Sequence, residues 1–336
     1  MRFPPPLAIG PLMPEEAGAV RTLAAAAEAA DGVAPLSEAT LLRLGDDTPT
    51  LTHVRALSRT GTLEGYLLLD RGALAASAEL VVHPGRRGGG VGSALLRIAE
   101  RDVRYPLTGG DGAAAAQPLR LWAHGDLPTA RHFAARHGYQ VARELLLLER
   151  PRPGGAHPAT EPPARGGFRF RTFRPDVDGE AWVQVNAKAF AAHPEQGRLT
   201  IADLRQRLAE PWFDAAGFFV AEPLEAGPSS SLAGFAWTKR HAETARQPAR
   251  GEIYALGIDP ASGGQGLGQA LLTCALGYLD RYEEVTRLYV DGDNTAARGL
   301  YRKFGFEEIG RDVQYAQPVQ AALPVEQSGH GRRGKA

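Results

Sequence analysis

Two stretches of this chain occur twice, in the same order. AELVVHPGRRGGGVGSALL at 78–96 lies over YALGIDPASGGQGLGQALL at 254–272. Pro84 falls on Pro260, Gly90 on Gly266 and Gly92 on Gly268, and Ala94, Leu95 and Leu96 fall on Ala270, Leu271 and Leu272, all at a shift of 176 residues. LWAHGDLPTARHFAARHGY at 121–139 lies over LYVDGDNTAARGLYRKFGF at 288–306, at a shift of 167 with six identities. Shared composition does not produce two ordered blocks at similar shifts. Such a chain is constrained to build one kind of domain twice. Its 336 residues suffice for two domains of about 150.

The segment 151–167 holds five prolines and four glycines in 17 residues, and no Leu, Ile, Val, Phe, Tyr or Trp. It cannot bury a core and reads as a linker. The expected domains are therefore 1–150 and 168–318, followed by a disordered tail over 319–336. A single cysteine excludes an internal disulfide framework and a Cys-based zinc site. Cys274 sits among Leu271, Leu272 and Leu276 and is expected in the core. His132 and His137 lack a nearby carboxylate pair, and no metal is expected. Lys+Arg and Asp+Glu both number 38, which gives no general basic surface for nucleic acid. Pro4, Pro5, Pro6 and Pro11 break the N-terminus where a signal peptide needs an apolar run. No apolar stretch nears the ~20 residues of a membrane helix. These features point to a cytoplasmic protein with no nucleic-acid or membrane partner; a monomer acting on a small-molecule partner is the expectation.

Each copy is expected to begin with helices (14–30; 176–190 and 200–209) and short strands (52–57 and 65–69; 217–221 and 232–239). An apolar strand then ends at His-Pro or Asp-Pro (79–82; 253–258). A glycine loop opens a helix (92–103; 268–281), and another strand follows (119–123; 286–290). A short helix and a last strand (142–148; 307–315) close each copy. Mixed elements of this kind indicate an α/β or α+β fold.

A strand leading into a glycine loop that opens a helix is an anion-binding device. Glycines let the backbone come close, and the free N–H groups and the helix dipole face a phosphate. The loop lacks the Lys-Ser/Thr of a P-loop. It also fails the dinucleotide fingerprint, because Gln269, Ala270 and Leu271 follow Gly266-Leu267-Gly268.

The loop does resemble the acetyl-CoA pyrophosphate loop of the GNAT N-acetyltransferase superfamily, Gln/Arg-x-x-Gly-x-Gly/Ala after a strand and V-x-P. The first copy fits with Arg87, Gly90, Val91 and Gly92. In the second, Gly263 stands where Arg or Gln is usual, while Gly266, Leu267 and Gly268 remain. The superfamily's other block, N-x-x-A-x-x-L-Y-x-x-x-G-F, is matched by Asn294, Ala297, Leu300, Tyr301, Gly305 and Phe306. Further stretches are similar to the mycothiol synthase family within it: Ala192-His193-Pro194-Glu195-Gln196-Gly197, Trp212-Phe213-Asp214 with Gly217-Phe218, and Trp237-Thr238-Lys239 followed by Gly251-Glu252-Ile253-Tyr254. Asp31 to Pro35 and Glu38 extend the likeness into the first half. Members of that family are actinobacterial tandem GNAT enzymes that acetylate the cysteinyl amine of a glucosaminyl-inositol pseudodisaccharide.

The resemblance implies two tandem GNAT domains, each a mixed, mostly antiparallel sheet flanked by helices, with acetyl-CoA as co-substrate. Leu256, Gly257 and Ile258 would hold the pantetheine arm and polarise the acetyl carbonyl. Gly263, Gly264, Gln265, Gly266, Leu267, Gly268 and Gln269 would hold the pyrophosphate. Asn294, Thr295, Ala296, Ala297, Arg298 and Gly299 would hold another part of the cofactor. In the first copy Leu80, Val81, Val82, Arg87, Gly88, Gly89, Gly90, Val91 and Gly92 take the corresponding places. The family's substrate contacts fall on Glu38, Glu180, Lys239, Glu252 and Tyr289. Glu252 is the expected base, acting through water, and Tyr301 the expected general acid.

The copies differ at these positions. Tyr301 corresponds to Ala134, Asn294 to Leu127 and Glu252 to Ala76. The C-terminal domain is thus expected to catalyse and the N-terminal domain not to. Plainer roles stand beside these: Tyr301 packing on Phe306, Glu252 a strand-edge carboxylate, Lys239 a solvated lysine. Two other functions stay open. One is a tandem GNAT enzyme for another small-molecule or peptide amine, and the other is a non-catalytic acetyl-CoA sensor.

Overall fold

The computed structural model describes residues 5–73, 75–104, 117–154, 166–191, 196–225, 231–244 and 248–318. Most of the expected linker, the expected tail and residues 192–195 of the His-Pro segment lie outside them.

The first half runs β1 (Leu7–Ile9), α1 (Pro14–Asp31), α2 (Glu38–Leu42), β2 (Leu51–Leu57), β3 (Leu63–Asp70), β4 (Ala76–Val82), α3 (Val91–Asp102), β5 (Leu119–Ala123), α4 (Pro128–Arg136) and β6 (Gln140–Pro151). The second runs β7 (Phe168–Thr172), α5 (Gly179–Ala189), α6 (Ile201–Leu208), β8 (Phe218–Pro223), β9 (Gly234–His241), β10 (Arg250–Ile258), α7 (Leu267–Leu279), β11 (Val285–Asp291), α8 (Thr295–Lys303) and β12 (Glu307–Ala316). Every expected helix and strand is present. The additions are β1 and α2, too short to carry a hydrophobic period, and β7, whose Phe168 and Phe170 alternate with Arg169 and Arg171. The repeat extends to the backbone. Gly88 and Gly90 have φ of 70° and 86°, and their counterparts Gly264 and Gly266 have 75° and 76°. L-residues avoid that left-handed region, which is why the loops need glycine there.

All twelve strands join one mixed sheet, ordered β1-β2-β3-β4-β5-β12-β6-β11-β10-β9-β8-β7. Among the described residues only β4–β5 and β10–β11 are parallel neighbours. β6 ends the first half in sequence, yet it lies between β12 and β11, and β12 lies between β5 and β6. Each half takes its last strand from the other. The cores follow the exchange. Leu146 and Leu148 of β6 are buried with Leu271, Leu272 and Leu288. Val313 and Tyr315 of β12 are buried with Leu95 and Leu121. At about 1.5–3 kcal/mol for each large apolar side chain fully buried, these residues bind the halves strongly together.

In the second half the two faces of the sheet carry different helices. On one, Trp182 of α5 and Leu204 of α6 pack against Phe218, Phe235 and Trp237. On the other, Cys274 and its apolar neighbours on α7 share a core with Tyr301 of α8. No helix among the described residues is long and apolar enough to cross a membrane.

Candidate active site

The site begins at a fork between two parallel strands. β10 pairs with β11 only over Gly251–Ile253, although it continues to Ile258. Beyond that point the peptide groups of β10 turned away from β9 have no strand neighbour. Leu256, Gly257 and Ile258 lie on this free edge, and Gly266 caps the N-terminus of α7 beyond it. The first-turn N–H groups of a helix lack intrahelical acceptors and carry the positive end of its dipole. An unpaired strand edge leading to such a terminus fits an extended amide-bearing arm that ends in a diphosphate. Asn294 is committed locally, because its Oδ1 accepts from the Ala297 N–H at 3.0 Å and so caps α8.

A cluster of polar residues lies on the α5–α6 side. The register of β9 and β10 shifts between Ile253 and Ala255. Before the shift Glu252 stands opposite Lys239 on β9 and Arg287 on β11. Glu252 Oε2 lies 2.5 Å from His241 Nε2. The Lys239 ammonium forms an ion pair with Glu38 and lies 4.4 Å above the Trp212 ring. Glu38 opens α2, so the first half does reach this face. Tyr289 lies two residues beyond Arg287 on β11, and is 45% exposed. Partial burial and the fields of Asp312 and Glu252 push its phenol up. Glu180 is exposed at the start of α5. No hydrogen bond or ion pair joins it to Glu38, Lys239 or Glu252.

Tyr301 sits on the opposite face. It shares a core with Ile253, and strand alternation turns the adjacent Glu252 away. Its ring meets Phe306 at 5.8 Å. Burial pushes the phenol up to about 12, so it keeps its proton at neutral pH and can donate it. The packing role and the donor role are therefore compatible. Sequence reasoning missed His241 and Arg250, which stand opposite each other on β9 and β10. The signal was alternation, since His241 is two residues past Lys239 and shares its face.

The first half repeats the fork, with β4 and β5 paired only over Ala76–Ala78. A cavity of about 640 Å³ opens there, lined by Leu80, Val81, Val82, Arg87, Gly88, Gly90, Val91 and Gly92. Arg87 is already engaged, donating to both Asp31 carboxylate oxygens at 2.7 and 2.6 Å. Below it, His124 Nδ1 lies 2.9 Å from Asp312 Oδ2, and Nε2 lies 3.5 Å from Glu79 Oε2. Asp312 comes from the exchanged strand β12. Burial alone would lower His124, but Glu79 and Asp312 override it and raise the imidazole to about 10. A folded-state value above the unfolded ~6.5 stabilises fully below that pH and is lost as pH rises through about 10. His124→Gln leaves two buried carboxylates without their cation. It is expected to cost about 3 kcal/mol at pH 7, with the gap to wild type closing by pH ~10 in denaturant titrations.

The profile of the Acetyltransferase (GNAT) family matches residues 185–306. A solved tandem GNAT protein from the clavulanic acid biosynthesis pathway shares this fold, with a TM-score of 0.64 and 20% identity over 93% of this chain and 98% of that one. Fold, fork and glycine loop define an acetyl-transferring enzyme of two GNAT units. The mycothiol acetyltransferase of Sanguibacter keddieii is 47% identical over 93% of this chain and 96% of its own. That of Salinispora arenicola is 46% identical over 90% and 94%. This chain belongs to the mycothiol acetyltransferase family.

Proposed function

We propose that this chain transfers acetyl from acetyl-CoA to the cysteinyl amine of the cysteinyl-glucosaminyl-inositol pseudodisaccharide, the last step of mycothiol biosynthesis. The observation that carries this reading is the Glu38–Lys239 ion pair beside Glu252. It builds a polar acceptor face from both halves of the chain, suited to a substrate rich in hydroxyl and amine groups. Likeness to mycothiol acetyltransferases over nine-tenths of the chain supports it.

Acetyl-CoA would lie in the β10–β11 fork, its diphosphate on residues 263–269 and its thioester near Leu256–Ile258. A cysteinyl α-amine titrates near ~8, so at neutral pH it arrives largely as the ammonium. Glu252 takes one proton through water, and the free amine attacks the thioester carbon. Backbone N–H groups of the free β10 edge hold the oxyanion. The C–S bond breaks, Tyr301 gives its proton to the departing sulfur, and the second amine proton replaces it. The sum is amide, free CoA and one proton to solvent. The first half would hold a second acetyl-CoA without turnover, because Ala76 and Ala134 stand where Glu252 and Tyr301 act. The reaction is assigned to a cytoplasmic monomer.

Purified protein with acetyl-CoA and a panel of amines tests this. The cysteinyl pseudodisaccharide should gain one acetyl group by mass spectrometry far faster than aminoglycosides or peptide N-termini. No acetylation above background would sink the assignment, and a preference for another amine would move it to that substrate. Tyr301→Phe should lower kcat about tenfold. That is below the usual range for a general acid, because a thiolate is a good leaving group.

A further inference from the structure

His241 touches the central carboxylate of the site, yet the reaction as written gives it no task. It is the last residue of β9, and its Nε2 lies 2.5 Å from Glu252 Oε2. Its side chain is 25% exposed and that of Glu252 18%, so the imidazole is the wetter partner. The surrounding charges come from several elements. Arg250 faces it across the β9–β10 register. Lys239 on its own strand is held by Glu38. Arg287 of β11 is held by Glu149 of β6 at 2.7 Å. Tyr289 lies beyond Arg287, and Glu28 of α1 acts on Arg250 from the first half.

Glu252 must shed a proton every turnover. Its strand neighbours Lys239 and Arg287 are held by Glu38 and Glu149. The group hydrogen-bonded to its carboxylate is His241, at the strand end. Imidazole takes a proton at one nitrogen and releases one from the other. We propose that His241 is a positioning and relay residue: the proton that Glu252 takes from the acceptor amine passes along the Glu252–His241 hydrogen bond and leaves to solvent from the imidazole. The step makes and breaks only N–H and O–H bonds and returns Glu252 to the carboxylate. This rests on Glu252 being the base.

The test compares wild type with His241→Ala, His241→Gln and Glu252→Gln, using the cysteinyl pseudodisaccharide and acetyl-CoA. His241→Ala should lose about tenfold or more in kcat with KM for acetyl-CoA unchanged. Added imidazole should restore the rate saturably and more strongly as pH rises. His241→Gln keeps a hydrogen-bond donor but cannot relay a proton, and should stay as slow as His241→Ala. A wild-type rate and pH profile in His241→Ala overturns the proposal. So does a loss that imidazole fails to restore, or recovery in His241→Gln, which would make the contact purely structural. Retained activity in Glu252→Gln would instead overturn the base assignment, so the two failures are distinguishable.

Discussion

Glu252→Gln is expected to lower kcat by about 100- to 1000-fold at pH 7, within the usual range for removing a general base. The amide keeps the shape and can still meet His241, but it cannot take a proton. Acetyl-CoA binding should be nearly unchanged, because the free edge of β10 and the N-terminus of α7 lie apart from residue 252. The defect should shrink with rising pH. Above about 8 the acceptor amine is increasingly neutral and no longer needs the carboxylate to deprotonate it. Steady-state rates across that range, with product measured by mass, check both the size and the slope. A pH-independent defect would show that Glu252 binds the acceptor and does not serve as its base.

Asp280→Ala should cost about 3–5 kcal/mol of stability, the usual price of leaving a buried charge unpaired. Arg150 and Asp280 are 5% and 1% exposed. Their two parallel hydrogen bonds measure 2.8 and 2.9 Å. Arg150 lies on the exchanged strand β6, and Asp280 caps the C-terminal end of α7. A carboxylate there opposes the helix dipole and depends on the guanidinium. The pair therefore ties the first half's last strand to the second half's central helix. Denaturant titration should show the loss as a lower midpoint. Arg150→Met with Asp280→Leu should recover most of it, because apolar residues of similar volume replace such pairs with little or no cost.

Much of this site was legible in the sequence. The likeness to the family pointed to Glu252, Tyr301, Glu38 and Lys239, the comparison of the two copies set Glu252 and Tyr301 apart, and the structure joins Glu38 to Lys239. Less legible were residues whose roles arise from pairing across distant segments. His241 meets Glu252 through strand register. Asp312 meets His124 across 188 residues of chain. Arg150 meets Asp280 across 130. Alternation puts His241 on the face of Lys239, but no helical or strand spacing reveals the partner in any of these pairs. Glu180 was singled out by likeness alone, and it stands exposed at the start of α5 with no hydrogen bond or ion pair to Glu38, Lys239 or Glu252.

The sequence by itself determined that one α/β unit is used twice. It also located the two glycine loops, because left-handed φ values and free helix N-terminal N–H groups are local demands that only certain residues meet. The tertiary structure alone decided that the units are not separable in the sheet. Strand β6 alternates buried apolar residues, and that pattern does not say which strand it joins. Hydrophobicity fixes that such a strand is buried, and it does not fix beside which neighbour. That choice was made by long-range contacts, the Arg150–Asp280 and His124–Asp312 pairs among them. It makes one continuous sheet of two copies, with Glu38 of the first half paired to Lys239 of the second.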